Sequence, residues 1–139
     1  MMNGNDPERR EHHSEPIIDV SIIDKLVDQL SAQLVHNLVE DCFAEFDLQV
    51  EQFKQAGARG DWAGCLTTLH GMRGIAVDYG ATGLSNEITM TKQVLLDRRY
   101  DVLASQVRNL TAARRDARKA LIMRLAKRAA TEFSNNEAG

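Results

Sequence analysis

DWAGCLTTLHGMRGIAVDYGATGL, residues 61–84, reads as one helix and the turn that ends it. Trp62, Cys65, Leu66, Leu69, Met72, Ala76 and Tyr79 recur every three or four positions and therefore share one apolar face. Asp61 stands where a carboxylate can accept from an unpaired backbone N–H of the first turn. Gly80-Ala-Thr-Gly83 supplies the turn that follows.

The same period continues on either side. Upstream, Ser21 with Asp24 resembles a capping arrangement ahead of Ile22, Ile23, Leu26, Val27 and Leu30. Ser31 is placed to cap a longer helix whose stripe reads Leu34, Leu38, Cys42, Phe46 (or Phe43), Val50 and Phe53, closed by Gly57-Ala-Arg-Gly60. Downstream, Leu84, Ile88, Thr91 (or Met90), Val94 and Leu95 predict a fourth helix. A last one starts near Asp101, with Val102, Leu103, Val107, Leu110, Ala113, Ala117, Leu121 and Leu125 inward. The expected class is all-α: an antiparallel four-helix bundle with an extra short N-terminal helix and a long basic C-terminal helix. Its expected extent is 17–128, between a disordered tail over 1–16 and a frayed or disordered tail over 129–139.

Composition agrees. The chain has 139 residues, 43% hydrophobic and 27% charged, which suits one soluble domain. Its only prolines are Pro7 and Pro16, and seven of its nine glycines fall between Gly57 and Gly83. An all-β sandwich spreads its turn residues more evenly. No apolar run can span a bilayer, and the polar first sixteen residues carry no secretory signal, so a cytoplasmic protein with no membrane partner is expected. Cys42 and Cys65 lack metal or redox spacing and read as a buried reduced pair. His12 and His13 have no neighbours to complete a metal site. Residues 1–60 carry twelve acids and five bases, whereas 61–139 carry eight acids and twelve bases.

His70 is the residue with chemical potential. It follows Leu69 and so points about 100° away from the apolar face. Arg73 and Gly74, at i+3 and i+4, lie beside its imidazole. Gly64, Gly71 and Gly74 weaken the helix by roughly 1 kcal/mol each relative to alanine. A missing side chain permits close approach, either by another helix or by an outside surface. An arginine beside an imidazole suits phosphoryl oxygens, which take charge-assisted hydrogen bonds. On composition and spacing alone, an exposed helical histidine with an arginine at i+3 is common and usually does nothing, and His36, on the second helix, reads as surface or boundary.

The run His70-Gly-Met72-Arg73-Gly74-Ile-Ala76-Val-Asp-Tyr79-Gly80-Ala81-Thr-Gly-Leu84 resembles the signature of histidine-containing phosphotransfer (HPt) domains, and Phe53 to Trp62 resembles that family's approach to its histidine helix. The resemblance covers roughly 19–125. It implies a monomeric phosphocarrier without autokinase activity. His70 would accept a phosphoryl group from a receiver-domain aspartate, in a response regulator or hybrid histidine kinase, and pass it to another receiver. Arg73 would stabilise the phosphoryl oxygens in place of the family's usual lysine. Gly74 and Gly71 would give clearance, and Lys92, where the family often has a polar residue facing the imidazole, would be a second cation. No cofactor is implied on this chain, and a divalent metal is expected on the receiver. Gly71 and Ile75 depart from the family's usual residues.

The last helix carries Arg108, Arg114, Arg115, Arg118, Lys119, Arg124, Lys127 and Arg128. These fit a solvated face, pairing with the acidic first half, steering toward an acidic receiver, or binding nucleic acid. The last is disfavoured by a pI near 5.8 and few stacking aromatics. An adaptor bundle that signals by binding alone is the remaining alternative.

Overall fold

The computed structural model describes residues 16–138, and among them there are helices and connecting turns but no strand. Helix α1 spans Val20–Gln29, α2 Ala32–Ala58, α3 Trp62–Asp78, α4 Thr82–Leu96 and α5 Leu103–Ala138, with a short 3-10 turn at Tyr100–Val102. The tail expected over 1–16 lies, apart from Pro16, outside the described residues, as do His12 and His13.

Packing closes the four longer helices into a cycle: α2 on α3, α3 on α4, α4 on α5 and α5 back on α2, with α1 against α5 and α2. Side-chain bonds fix the directions. Cys42 Sγ lies 3.3 Å from Tyr79 Oη, while Cys65 Sγ donates to the Phe53 carbonyl at 3.6 Å, so α2 and α3 run antiparallel. Asp47 pairs with Arg114 and Glu40 with Arg118, so α2 and α5 are also antiparallel. Asp24 pairs with Arg124 and Asp28 with Arg128, so α1 runs parallel to α5.

Two expected caps are present. Ser31 Oγ accepts from Leu34 N at 3.1 Å, and Asp61 Oδ1 accepts from Gly64 N at 2.9 Å. The α1 cap differs from the expectation: Asp19, not Ser21, is the cap, its carboxylate accepting from Ser21 N at 3.0 Å and Ser21 Oγ at 2.7 Å. The cause is tertiary. Asp19 N donates to the Gly80 carbonyl at 2.7 Å, and Gly83 N donates to the Ile17 carbonyl at 3.0 Å, which ties the entry to α1 onto the α3–α4 turn. Gly80 is required there twice over. Its φ is +70°, and a Cβ would lie 2.9 Å from the Asp19 carbonyl oxygen.

Over its first half the buried face of α2 is rotated by one residue from the expected stripe, while Phe46 and Phe53 are buried as expected. Val35, Val39, Phe43, Phe46 and Phe53 are buried, whereas Leu34 is 44% exposed and Leu38 and Cys42 are half-buried. An i+4 pattern holds on both flanks of a helix, and α2 must centre its buried face between α3 and α5. Phe43, Phe46 and Phe53, at 2% exposure or less, each contribute roughly 1.5–3 kcal/mol by burial. The stripes of α3 and α4 hold as expected, with Thr91 rather than Met90 buried. Thr91 joins a polar tie the periodicity does not reveal. Buried Gln106 of α5 donates through Nε2 toward Thr91 Oγ1 at 3.1 Å and Glu87 Oε1 at 3.0 Å.

The charge asymmetry is largely consumed inside the molecule. Arg114, Arg118 and Arg124 grip Asp47, Glu40 and Asp24 bidentately at 2.6–3.0 Å. Arg128 reaches both Asp24 and Asp28. Four of the eight bases in α5 thus pair with the acidic first half. Helix α5 also continues to Ala138, past the boundary expected at 128. Glu132 gives a reason, since its Oε1 accepts from Ala32 N at 3.0 Å and satisfies a backbone donor at the start of α2.

The Arg124 hydrogen bond holds the Asp24 carboxyl below its ordinary value of 3.8, against an opposing effect of burial. A depressed folded pKa stabilises the fold above the unfolded pKa, and that stability is lost as pH falls through the folded value. Asp24→Asn should therefore cost about 1 kcal/mol at pH 7. The gap to wild type should narrow as pH falls below 3.8, as urea unfolding at several pH values will read out.

Candidate functional site

Cys65, Thr68, Leu69, Met72 and Ala76 of α3 are buried, whereas His70, one residue past Leu69, is exposed. The wall beside it is α4. Leu66, Leu69, His70 and Arg73 of α3, with Ile88, Thr89 and Lys92 of α4, line one open cleft of about 280 Å³. Lys92, nineteen positions beyond Arg73, is thus brought to the same place as His70 and Arg73. The floor is apolar (Leu66, Leu69, Ile88), and the rim carries an imidazole, a guanidinium, an ammonium and the Thr89 hydroxyl.

The three glycines of α3 serve different ends. A Cβ on Gly64 would lie 2.9 Å from Asp61 Cγ, so that glycine makes room for the cap. A Cβ on Gly71 would meet the Gln49 carboxamide, with Nε2 at 2.7 Å. Gly71 therefore faces α2 and admits Gln49, which differs from the clearance expected of it. Gly74 alone fronts open space, with nothing within 4 Å of an added Cβ. The bare ground beside His70 is the Gly74 position.

At the N-terminal end of α3, Trp62 stacks on Tyr100 with ring centroids 4.4 Å apart and planes at 10°. This pins the segment after α4 against the start of the histidine helix. Cys42 of α2, beside Tyr79 at the C-terminal end of α3, and Cys65, near the N-terminal end of α3, are both free thiols, and only Cys65 is fully buried, its thiol pKa raised by desolvation. Among the described residues no group of three or more His, Cys, Asp or Glu side chains could hold a metal ion, and no helix is long and apolar enough to cross a membrane. His36 is half-buried at the α2–α5 seam, where its Nδ1 has no hydrogen-bond partner.

Sequence reasoning missed Thr89 and Gln49. Thr89 was findable, because it lies three residues before Lys92 and so on the same side of α4. Gln49 was not, since its role depends on the α2–α3 register.

Comparison of the chain with protein-family models, with curated proteins and with solved structures gives no match in any of the three.

Gly74→Ala should stabilise the free protein by up to about 1 kcal/mol, since the new methyl meets nothing and helix propensity improves. Gly71→Ala should gain less, because Gln49 must move, and Gln49→Ala in the same chain should restore the difference. Urea unfolding of the three variants checks both statements.

Proposed function

We propose that this protein is a phosphorelay intermediate of the HPt type. On this reading the four longer helices are an antiparallel bundle, and His70 takes a phosphoryl group from a receiver-domain aspartate and hands it to another receiver. The observation that carries the proposal is the exposed His70 imidazole sharing a cleft with Arg73 and Lys92, beside the open Gly74 position. The HPt-like run from His70 to Leu84 supports it independently.

The chemistry asks little of this chain. A lone pair on Nε2 attacks the phosphorus of the aspartyl phosphate, an N–P bond forms, the acyl P–O bond breaks, and the aspartate leaves as a carboxylate. Such transfer is governed by in-line positioning and neutralisation of charge on the equatorial oxygens. Arg73 would offer two N–H groups to those oxygens and Lys92 a compact positive charge, both from fixed helices. Exposure of the imidazole lets a receiver reach it, and the bare backbone at Gly74 lets the receiver's loops come close. The receiver would bring the divalent metal and the acidic pocket.

Nucleic-acid binding by α5 gains little support, because Arg114, Arg118, Arg124 and Arg128 are engaged with carboxylates of α1 and α2.

Incubation with a phosphorylated receiver should place an acid-labile, base-stable label on the wild-type chain and none on His70→Gln. Arg73→Ala should slow transfer by about tenfold or more, the worth of one charge-assisted hydrogen bond. Lys92→Ala should shorten the lifetime of the label or slow its formation, and no change would remove Lys92 from the site. Equal label on His70→Gln would defeat the proposal.

A further inference from the structure

The side chains lining the cleft between α3 and α4 divide by hydrogen-bonding capacity. Leu66, Leu69 and Ile88 have none, while Arg73 and Lys92 only donate. A neutral His70 imidazole donates through one ring nitrogen and accepts through the other. Thr89 Oγ1 is the one side-chain oxygen in the lining. Its proton is already committed, because it donates to the Ser85 carbonyl at 3.1 Å within α4. What remains on that oxygen is lone pairs, so toward any other group it acts as an acceptor.

Helix register brings this oxygen level with the imidazole. Ala76 and Val77 of α3 share a hollow with Ser85, whereas Leu66, Leu69, His70 and Arg73 share the cleft with Ile88, Thr89 and Lys92. The two helices therefore run in opposite directions away from the turn at Gly80 and Ala81. His70 lies ten residues before Gly80, while Thr89 and Lys92 lie eight and eleven residues after Ala81. Position 70 thus stands opposite the stretch from 89 to 92. Among the described residues His70 makes no hydrogen bond or ion pair, so neither ring nitrogen is committed elsewhere. The cleft, at about 280 Å³, also has room for a water between imidazole and hydroxyl. The bond from Thr89 to Ser85 is not itself a signal. Thr67, Thr111 and Thr131 make the same bond four residues back, and none of them lines the cleft. Its place opposite His70 is what distinguishes Thr89.

Which imidazole nitrogen keeps its lone pair is set by the hydrogen bond that the other one makes. A proton held on Nδ1 leaves Nε2 bare for attack on phosphorus. As the N–P bond forms at Nε2, positive charge develops on the ring and Nδ1–H becomes a stronger donor. Arg73 and Lys92 oppose that charge and have no acceptor to offer. We propose that Thr89 Oγ1 accepts from His70 Nδ1–H, directly or through one water, and so fixes the tautomer in which Nε2 is the nucleophile. This inference rests on the phosphorelay reading of His70. Thr89 touches no reacting atom and is a positioning residue that acts through the imidazole. The same bond serves onward transfer: the N–P bond breaks, its electron pair returns to Nε2, and Nδ1 keeps its proton.

The ring can be read directly in the full chain. Long-range proton–nitrogen NMR of isotope-labelled protein, at a pH where His70 is neutral, gives the tautomer ratio. Wild type should hold mainly the Nδ1–H form. Thr89→Val, which keeps the shape and removes the hydroxyl, should shift the ratio about fivefold toward the Nε2–H form, and Thr89→Ser should restore it. Both substitutions fall on an exposed helix position and leave the core untouched. With a phosphorylated receiver that labels wild type, Thr89→Val should gain label about fivefold more slowly, and Thr89→Ser should recover most of the rate. The rival role for Oγ1 is to hold the Lys92 ammonium, one turn on. In a Lys92→Ala background the shift caused by Thr89→Val should persist, and its disappearance would overturn the assignment to Nδ1. An unchanged tautomer ratio in Thr89→Val, or unchanged transfer, would also overturn it while leaving the role of His70 intact. If no phosphorylated receiver labels the wild type, the phosphorelay reading fails and the positioning role fails with it.

Discussion

Burial of Leu69 and Met72 forces His70 outward, because neighbouring residues on a helix stand about 100° apart. Everything at the candidate site follows from that constraint. Helix α3 is held on one flank by α2 and on the other by α4, so only its third face is free. His70 stands at the edge of that face, where it lines the cleft against α4 with Arg73 and Lys92, and Gly74 fronts open space. The site thus stands on two rigid helices, and its geometry is inherited from the packing of the core.

The rest of the molecule holds those two helices in place. Gln106 of α5 bonds Thr91 and Glu87 of α4, which are the immediate neighbours of the cleft residues Lys92 and Ile88. The guanidinium–carboxylate pairs from α5 to α1 and α2 close the opposite side. Each such pair is worth little alone, but four arginines acting together fix the helix order and relative direction. They leave Arg73 and Lys92 at the His70 cleft outside the ion pairs of the described residues, in a chain of net charge −3.

Legibility in the sequence followed how local each feature is. The α3 stripe and the Ser31 and Asp61 caps needed only neighbours within four residues, whereas Thr91 and Met90 both fit the α4 spacing until packing buried Thr91. The rotation of the α2 face did not show, since the series beginning at Leu34 and the one beginning at Val35 both satisfy helical spacing until a partner helix selects one. The Asp19 cap depended on a backbone bond to Gly80, sixty-one positions away. Gly71 read as clearance because only the α2–α3 register reveals Gln49 above it. Helix α5 read as ending near 128 because its apolar stripe runs out at Leu125, and Glu132 acts through a hydrogen bond to a distant helix start. Nor does composition encode the backbone of Arg98, the one described non-glycine residue with positive φ.

The central claim is that the His70 imidazole carries a phosphoryl group in transit. Phosphorus NMR of the chain, recorded after mixing with a phosphorylated receiver domain and separating the two, tests it most directly. The account predicts a phosphoimidazole resonance that disappears in His70→Gln and when an unphosphorylated receiver is added back. A wild-type chain with no phosphorus signal, or a signal that survives in His70→Gln, would contradict it.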